Sequence, residues 1–218
     1  MSPRTNDQRR PYRSDKRAEA AARTRASILD AALRLFVDNG YAQVTIGDIA
    51  REAGTAVPTV YASTGGKSAI LATLMKQGVD DPVVHQTLDA VRTATDAREA
   101  IAATAHGVRL DNERHLDIAQ VMINAAVVEQ TVQEELAQVV HAYRQALAVL
   151  AERLEELGAL RPGLSQERAT DILWFLLGLP SWRVFIAEFN WSWDEAERWL
   201  ADQVTSALLA EPQCARAR

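Results

Sequence analysis

Between Thr45 and Lys67 the apolar positions predict two short helices joined by a tight turn. The first helix carries a stripe at i, i+3, i+4 and i+7 that is formed by Ile46, Ile49, Ala50 and Ala53. Thr45 and Asp48 mark its start, because they have the spacing of a capping box, in which each side chain bonds a free backbone N–H of the other residue. Gly54 follows the last apolar position, where a helix stop needs a left-handed residue.

The second helix is predicted to begin at Pro58. Proline sets φ for a first helical turn, where its missing N–H does no harm, and Gly65 and Gly66 end the helix. Two short helices around a glycine turn are typical of a helix-turn-helix, whose second helix enters the major groove of DNA. An ordinary corner between two helices is the alternative. In the DNA-binding interpretation, the exposed side of this helix has no acidic residue and presents Val57, Pro58, Thr59, Tyr61 and Ser63.

These side-chain types suit a nucleic-acid surface. Threonine and serine hydroxyls can bond base edges or phosphates, and valine or proline can touch a thymine methyl group. The Tyr61 hydroxyl and the Lys67 ammonium suit phosphate oxygens, which fix the register of a protein on DNA without specifying its sequence.

Positive charge is concentrated ahead of this segment. Residues 1–25 hold eight basic and three acidic side chains, a net of +5, whereas the whole chain carries −5, which leaves −10 for residues 26–218. Such a segment is typical of an arm that contacts phosphates, although a solubilising tail has the same composition. Residues 1–17 have few apolar positions and are predicted to be disordered off DNA. Arg23 and Arg25 lie near the exposed start of the first helix, where they could reach phosphate or the minor groove.

Helical periodicity continues along the chain. A helix over 18–39 is predicted from the inward positions Ile28, Ala31, Ala32, Leu35 and Phe36. A helix over 68–77 is predicted from Ile70, Leu71 and Leu74. Residues 116–128 are almost continuously apolar, so a helix there would be buried on every side, either as the wall of a ligand cavity or as domain core. Thr131 and Glu134 have capping-box spacing, and a heptad stripe follows at Leu136, Val140, Tyr143, Leu147, Leu150, Leu154 and Leu157.

Aromatic residues gather in the last third of the chain. Residues 172–179 are apolar on all faces, and Pro180 is predicted to end that helix. Ser192 and Glu195 cap a final helix, and all five tryptophans lie between positions 174 and 199. One domain could bury this much apolar area, but a dimer interface also uses it.

From about Ala26 to Leu74 the chain resembles the TetR family of transcriptional regulators. The resemblance rests, at the family's spacing, on Phe36, Gly40, Tyr41, Thr45, Ile49, Ala50, Gly54, Thr59, Val60, Tyr61 and Lys67. The tail from Asn190 looks like the closing helix of one branch of that family. The resemblance implies a homodimeric, usually repressing protein that binds double-stranded DNA at an inverted-repeat operator and responds to a small-molecule effector.

The fold that follows is all-α. A three-helix helix-turn-helix DNA-binding domain is expected over 18–67, and a helical-bundle ligand-binding and dimerisation domain over 68–210. A disordered basic arm over 1–17 precedes them and a disordered tail over 211–218 follows. In the family the helix over 68–77 connects the two domains, so a hinge is expected after it, with a plain loop as the alternative.

Carried over by position, the resemblance implies a DNA face of Thr45, Gly47, Val57, Pro58, Thr59, Tyr61, Ser63 and Lys67. The chain departs from the family where an aromatic pair usually follows Tyr61, because Ser63 and Thr64 stand there. It also departs at Ala56, which replaces a common serine cap. These departures bear on the packing and the operator preference of the second helix.

Composition agrees with a globular protein of the cytoplasm. The 218 residues are 48% hydrophobic and 24% charged. No apolar run approaches the roughly 18 residues of a membrane span, and the arginine-rich start is not a secretory signal. The single Cys214 excludes an internal disulfide. A cytoplasmic protein without a membrane partner is expected.

No catalytic or metal-binding motif occurs in the sequence. The four histidines form no HExxH or Cys–His spacing, and the Gly-Lys-Ser at 66–68 lacks the first glycine of a phosphate loop because Tyr61 stands there. No enzyme, cofactor or metal site is therefore predicted. The alternative hypothesis is an all-α enzyme or lipid or small-molecule carrier with structural N-terminal helices, in which His106 or His115 is the acid–base group.

A ligand-responsive regulator is the favoured hypothesis. Its effector is expected to be a small hydrophobic molecule in an apolar cavity that has a few polar groups. The candidate pocket residues are His106, Met122 and Trp174.

Overall fold

The computed structural model describes residues 10–79 and 81–210. The helices among these residues are α1 Arg10–Asn39, α2 Ile46–Glu52, α3 Val57–Thr64, α4 Lys67–Val79, α5 Pro82–Thr93, α6 Ala97–Ala126, α7 Gln130–Glu156, α8 Gln166–Leu177, α9 Leu179–Arg183 and α10 Trp193–Leu208. A 3₁₀ turn lies at Tyr41–Gln43 and a π-helical turn at Val184–Glu188. No strand longer than the isolated bridge between Leu160 and Leu209 occurs in the described part of the chain. The all-α prediction is confirmed.

The chain divides into two compact units. The first contains the described residues up to Leu74 together with Gln120–Gln133, and the second contains Met75–Ala119 and the described residues from Glu134 onward. The prediction placed the boundary at Lys67, seven residues earlier along the chain, and gave the segment 120–133 to the second domain. Periodicity could not assign that segment, because it reports which side of a helix is buried and not what buries it.

A small apolar core holds the first unit together. Ile28, Ala31, Ala32 and Phe36 of α1 are fully buried, as are Ile49 of α2, Val60 of α3 and Ile70 and Leu71 of α4. The predicted inward stripes of these helices are therefore confirmed, except that Leu35, Ile46 and Ala53 are only partly buried. Gly40 ends α1 with a φ of 78°, a conformation that glycine adopts without strain. Packing α1 to α4 on one another in this way fixes the angle of α3.

The capping box at the start of α2 is confirmed. The Asp48 N–H donates to Thr45 Oγ1 at 3.1 Å, and the Thr45 N–H donates to Asp48 Oδ2 at 3.0 Å. Gly54 has a φ of 64° just after the helix, as predicted. The first helix, in contrast, begins at Arg10 and not at Ala18. Pro11 is compatible with a first helical turn, and the Arg, Lys, Glu and Ala residues that follow are good helix formers. Residues 1–9 of the predicted arm, like residues 211–218 of the predicted tail, lie outside the described residues.

The core of the second unit is built from α5 to α10. In the predicted heptad stripe of α7, Leu147, Leu150 and Leu154 are buried. They pack with Leu173 and Leu177 of α8, with Trp182 of α9 and with a stripe of α10 formed by Ala196, Leu200, Val204 and Leu208. The capping box ahead of α10 is confirmed, since the Glu195 N–H donates to Ser192 Oγ at 3.3 Å and the Ser192 N–H to Glu195 Oε2 at 3.0 Å.

Three local predictions were wrong. The segment 116–128 is not buried on every side, because α6 ends at Ala126 and Val127 and Val128 are 82% and 72% exposed. Thr131 does not cap α7, because the helix begins one residue earlier, at Gln130. Pro180 does not simply end a helix, since it lies in the first turn of α9. In each case the local residue types allow two helix boundaries, and packing selects one of them.

A near-continuous helical stretch runs from Gln166 to Glu188. By length and composition it is apolar enough to cross a membrane, a test that the core helix of a soluble protein also passes. Leu173, Leu177 and Trp182 of this stretch lie in the core of the second unit. Phe175 on the opposite side is 74% exposed. The sequence did not indicate this stretch, because polar residues such as Ser181 and Arg183 interrupt its apolar runs.

Candidate functional site

α3 has one buried side and one exposed side. Val60 and Thr64 face the core with exposed fractions of 0% and 7%, whereas Tyr61 is 56% exposed. Val57 and Pro58 are also exposed, at the beginning of the helix. Because Pro58 lies in the first turn, its missing N–H leaves no helical hydrogen bond unmade. The helix therefore presents an uncharged surface to solvent.

The other predicted DNA-face residues of α2 and α3 differ in their accessibility. Thr45 and Gly47 are exposed at the start of α2, whereas Thr59 and Ser63 are only partly exposed. The Thr45 hydroxyl donates to Asp48 Oδ2 at 2.6 Å, so its hydrogen is used within the capping box. This hydrogen bond is the main cause that lowers the pKa of Asp48, with the Arg51 guanidinium contributing less. Thr45 thus keeps lone pairs for a partner but offers no free hydroxyl hydrogen.

The Lys67 ammonium points into the first unit, which differs from the predicted phosphate contact. Its Nζ donates to the carbonyl oxygens of Tyr41 at 2.9 Å and Val44 at 3.1 Å, and lies 4.2 Å from the centroid of the Tyr41 ring. Carbonyl groups beside a 3₁₀ turn have no continuing helix to bond them, so an ammonium satisfies them well. Lys67 therefore positions the connection between α1 and α2.

Arg25 has a similar internal partner. Its guanidinium donates to the backbone carbonyl of Ser63 near the end of α3. This contact joins α1 to α3 and orients α3. Arg23, two residues earlier, is exposed. The sequence marked both arginines as basic groups near DNA, but a partner 38 residues away along the chain leaves no local signal.

A contact that the sequence did not indicate joins Tyr41 to the turn between α6 and α7. The Tyr41 ring is buried against Phe36 in the core of the first unit, with ring centroids 5.2 Å apart. Its hydroxyl donates to Glu129 Oε2 at 2.5 Å. Burial raises the pKa of Tyr41 well above its ordinary value, and the Glu129 carboxylate adds to this shift. Tyr41 therefore stays neutral and fixes the segment 120–133 within the first unit.

The second unit contains an apolar cavity of about 130 Å³. Its wall is formed mainly by α5, α6 and α7, with Met75 and Gly78 of α4 and Leu179 of α9 completing it. An apolar cavity between the helices of a bundle is a common place for a small-molecule site.

None of the three predicted pocket residues lines this cavity. His106 is exposed, with Nδ1 3.1 Å from Glu197 Oε1, and Met122 is buried in the first unit. Trp174 is not part of the wall but packs edge-on against the wall residue Tyr143, with ring centroids 5.6 Å apart. Periodicity did not place these residues relative to the cavity, because the rotation of α6 and α8 about their axes depends on packing. The next residue along α6, Gly107, does line the cavity.

Polar groups of the cavity wall are bonded to one another. Asn112 Nδ2 donates to the Tyr143 hydroxyl at 3.0 Å, and that hydroxyl donates to the Leu177 carbonyl at 3.0 Å. Burial raises the pKa of Tyr143 far above its ordinary value. His115 Nδ1 lies 3.1 Å from Asp111 Oδ1, and this hydrogen bond is the main cause that raises the pKa of His115. Among the described residues no three His, Cys, Asp or Glu side chains are grouped as metal ligands would be.

Comparisons with known proteins agree with these features. Residues 28–74 match the family model for bacterial regulatory proteins of the tetR family. An uncharacterized HTH-type transcriptional regulator of Mycobacterium tuberculosis strain H37Rv is 28% identical over 160 residues, which are 73% of this chain and 79% of the relative. The fatty acid metabolism regulator protein of Bacillus subtilis is 26% identical over 149 residues, which are 67% of this chain and 75% of the relative.

Solved structures share the fold. The fatty acid degradation regulator FadR from Bacillus halodurans superposes with a TM-score of 0.70 at 17% identity, covering 89% of this chain and 97% of its own. SmeT, in its complex with triclosan, superposes with a TM-score of 0.67 at 19% identity, covering 89% and 98%. The matched N-terminal segment, the curated relatives and the shared fold agree with one another, and together they support a transcriptional regulator of the TetR family.

Proposed function

We propose that this regulator is a repressor that binds an inverted-repeat operator and is released by a small apolar effector. The observation that carries the proposal is the orientation of α3, which exposes Tyr61 and Val57 while Val60 anchors the helix in the core. In the major groove this side would place hydroxyl and small apolar groups against base edges and phosphates.

The proposed DNA face contains the exposed or partly exposed members of the predicted set, which are Arg23, Thr45, Gly47, Val57, Pro58, Thr59, Tyr61 and Ser63. Lys67 and Arg25 are not part of this face. They hold it in position, because their side chains bond backbone carbonyls of the first unit. Arg23 is the member suited to phosphate by charge, and Tyr61 suits it as a neutral donor.

We further propose that two copies form a homodimer through the second unit. Phe175, Phe189 and Trp199 are 74%, 57% and 40% exposed, although they belong to segments whose other side is core. Large exposed aromatic groups are typical of the centre of an interface. A two-fold dimer would present two copies of α3 to the two half-sites of an operator.

The dimer can be tested by sedimentation velocity. Phe175→Glu should convert the protein to a monomer, because it places a charge in the centre of the proposed interface. Val128→Glu is the matched control, since Val128 is equally apolar and 72% exposed but lies in the first unit. If Phe175→Glu remains a dimer, the interface does not include Phe175 and must lie on another surface.

The cavity of the second unit is the proposed effector site. FadR of Bacillus subtilis has been solved with stearoyl-CoA and SmeT with triclosan, so proteins of this fold bind hydrophobic molecules. The mainly apolar wall found here supports a small, mainly apolar effector. The enzyme alternative loses one of its two candidate acid–base groups, since His106 lies outside the cavity wall, and the described residues hold no group of metal-ligating side chains that could assist His115. We therefore propose a cytoplasmic, non-enzymatic role.

α6 offers a route by which the effector could act. It supplies cavity residues as far as Ala119, and the same helix continues into the segment 120–133, whose Glu129 accepts the Tyr41 hydrogen bond. An effector that binds one position of α6 more tightly would shift the balance between positions, by no more than its difference in affinity for the two. Tyr41→Phe removes this bond. It should leave operator binding in place and weaken its response to effector.

Fluorescence anisotropy with labelled DNA from beside the gene tests the central proposal. The protein should bind this DNA with an affinity that falls as salt rises, because phosphate contacts release counterions. Unrelated DNA of equal length is the control. Equal affinity for both DNAs, or no binding that depends on salt, would refute the proposal.

A further inference from the structure

The hydroxyl and amide donors on the cavity wall already have partners inside the protein. The Thr87 hydroxyl donates to the Val83 carbonyl at 2.7 Å, and the Thr104 hydroxyl donates to the Ala100 carbonyl at 2.9 Å. Each hydroxyl has one hydrogen, so what both groups keep for a ligand is lone pairs.

The Asn112 amide and the Tyr143 hydroxyl of the cavity wall also use all their hydrogens within the protein. Asn112 Nδ2 uses its two hydrogens on the Val108 carbonyl at 2.8 Å and on the Tyr143 hydroxyl at 3.0 Å. Tyr143 uses its only hydrogen on the Leu177 carbonyl. A ligand that needs donors would have to break these bonds, and a buried group that loses its partner costs more than an ordinary hydrogen bond gains.

The charges of the wall also disfavour an anion. Its lining includes no lysine or arginine, and its ionisable groups are Asp111, His115 and Tyr143. His115 lies between two carboxylates, with Nδ1 on Asp111 and Nε2 4.0 Å from Asp81 Oδ2. Arg114 pairs with Asp81 at 3.0 Å and is not part of the wall. A ligand carboxylate or phosphate at His115 would therefore meet two carboxylates, and the cations beside them, Arg114 and a protonated His115, are already paired with those carboxylates.

We infer that the effector is a neutral, mainly apolar molecule whose polar group is a hydrogen-bond donor, such as a phenol, and that a carboxylate or an acyl-CoA is excluded. The Asp111 carboxylate is the acceptor that such a donor would meet. A cavity of about 130 Å³ has room for one substituted aromatic ring, since an engineered cavity of roughly 150 Å³ admits benzene. This inference rests on the proposed effector role of the cavity and specifies its ligand.

Isothermal titration calorimetry of the full-length protein without DNA tests the inference with three matched probes near pH 7. 4-Ethylphenol carries a donor, 4-ethylanisole has the same body but only an acceptor, and 4-ethylbenzoate carries a negative charge. The phenol should bind about tenfold more tightly than the anisole, because its bond goes to a charged acceptor, and the benzoate should bind more weakly than both. Benzoate binding as tight as that of the phenol, or no binding of any probe, would overturn the inference.

Two variants connect this selectivity with the cavity. Asp111→Asn should abolish the preference for the phenol, because it replaces the charged acceptor by a neutral amide. Asp117→Asn is its matched control, since Asp117 is an exposed acid on the same helix that does not line the cavity. Ala146→Leu adds volume inside the cavity and leaves Asp111 unchanged, so it should weaken the binding of all three probes equally. This variant keeps the inference testable even if Asp111→Asn fails to fold. Unchanged selectivity in a folded Asp111→Asn protein would refute the role of Asp111.

Operator binding, measured by anisotropy on the same samples, separates this inference from the proposed function. If the protein binds no operator DNA, the proposed function fails whatever the calorimetry shows. If it binds the operator and benzoate releases it more effectively than the phenol does, the regulator remains and the assigned ligand class is wrong.

Discussion

The surroundings of α3 and those of the cavity use polar side chains differently. Around α3, the charged groups of Lys67 and Arg25 bond backbone carbonyls of other segments and join α1, α3, α4 and the 3₁₀ turn. Around the cavity, the bonds from Asn112 through Tyr143 to the Leu177 carbonyl join α6, α7 and α8, whereas Thr87 and Thr104 bond carbonyls of their own helices, α5 and α6. Because these two threonines form no bond between α5 and α6, the contact of these helices depends on packing alone at that point. The comparison indicates a recognition surface fixed by bonds between segments, and an effector site whose α5–α6 contact is the more adjustable part.

The largest effect is expected from Gly107→Ala. A Cβ atom at Gly107 would lie 1.9 Å from Thr87 Oγ1, so α5 and α6 would have to separate beside the cavity. Overpacking of this kind costs about 1–3 kcal/mol, which lowers the melting temperature by roughly 2–4 °C per kcal/mol in a chain of this size. Effector binding should be lost and operator binding retained.

Thermal melts by circular dichroism measure this change. Gly66→Ala is the control, because a Cβ there meets nothing within 4 Å and Gly66 has no positive φ. A Gly107→Ala protein that melts like the wild type would show that α5 and α6 adjust freely at their closest approach, and the second unit would then be softer than proposed.

The next effect is expected from Lys67→Met, which tests the rigid side of the comparison. Removing the ammonium leaves the carbonyls of Tyr41 and Val44 without their donor, and the free energy of unfolding should fall by about 1–3 kcal/mol. Urea denaturation measures this loss, with Lys76→Met on the exposed side of α4 as the matched control.

The salt dependence of operator binding decides between the two roles of Lys67. If Lys67 positions the fold, the slope of log affinity against log salt should stay unchanged in Lys67→Met. A decrease of about one unit would instead restore Lys67 to the phosphate contacts.

A smaller effect is expected from Tyr61→Phe. The exposed hydroxyl has no role in the core, so stability should be unchanged, whereas operator affinity should fall about tenfold if the hydroxyl donates to a phosphate. The loss should be equal for all DNA sequences, because phosphate contacts carry no sequence information. Anisotropy with operator and unrelated DNA checks this, and a loss confined to the operator would assign Tyr61 to base contacts.

The smallest effect concerns His115 and pH. Its pKa is raised in the folded state, so its stabilising contribution is complete below the unfolded value of about 6.5 and is lost as pH rises through the folded value. The free energy of unfolding should therefore fall with rising pH in this window, by at most about 1.4 kcal/mol per pH unit for one proton. His115→Asn should flatten the profile measured by urea denaturation. His141→Asn, on an exposed histidine, should leave it unchanged.

Local chemistry made much of the fold predictable. The capping boxes of α2 and α10, the positive φ of Gly54 and the inward stripe of α1 depend on residues within one or two helical turns, and the structure confirms them. Thr131 and Pro180 show where this approach fails, because their local signals fit two different helix boundaries.

The candidate site residues show the same distinction between features set by nearby residues and features set by distant ones. The exposure of Tyr61, Val57 and Pro58 follows from helical periodicity, and the sequence placed them together on one surface. The partners of Lys67 and Arg25 lie 26 and 38 residues away, and Glu129 lies 88 residues from Tyr41. A pattern of residue types contains no information about such distant pairs.

By itself the sequence determined that this chain is all-helical, that it begins with a helix-turn-helix and that one uncharged helix surface faces outward. These properties follow from caps, breakers and periodicity, which act over a few residues. Only the tertiary structure decided which basic groups support that surface, which segment Tyr41 holds and which side of α6 lines a cavity. These properties depend on how helices rotate and pack, and packing is settled by all of the side chains in contact at once.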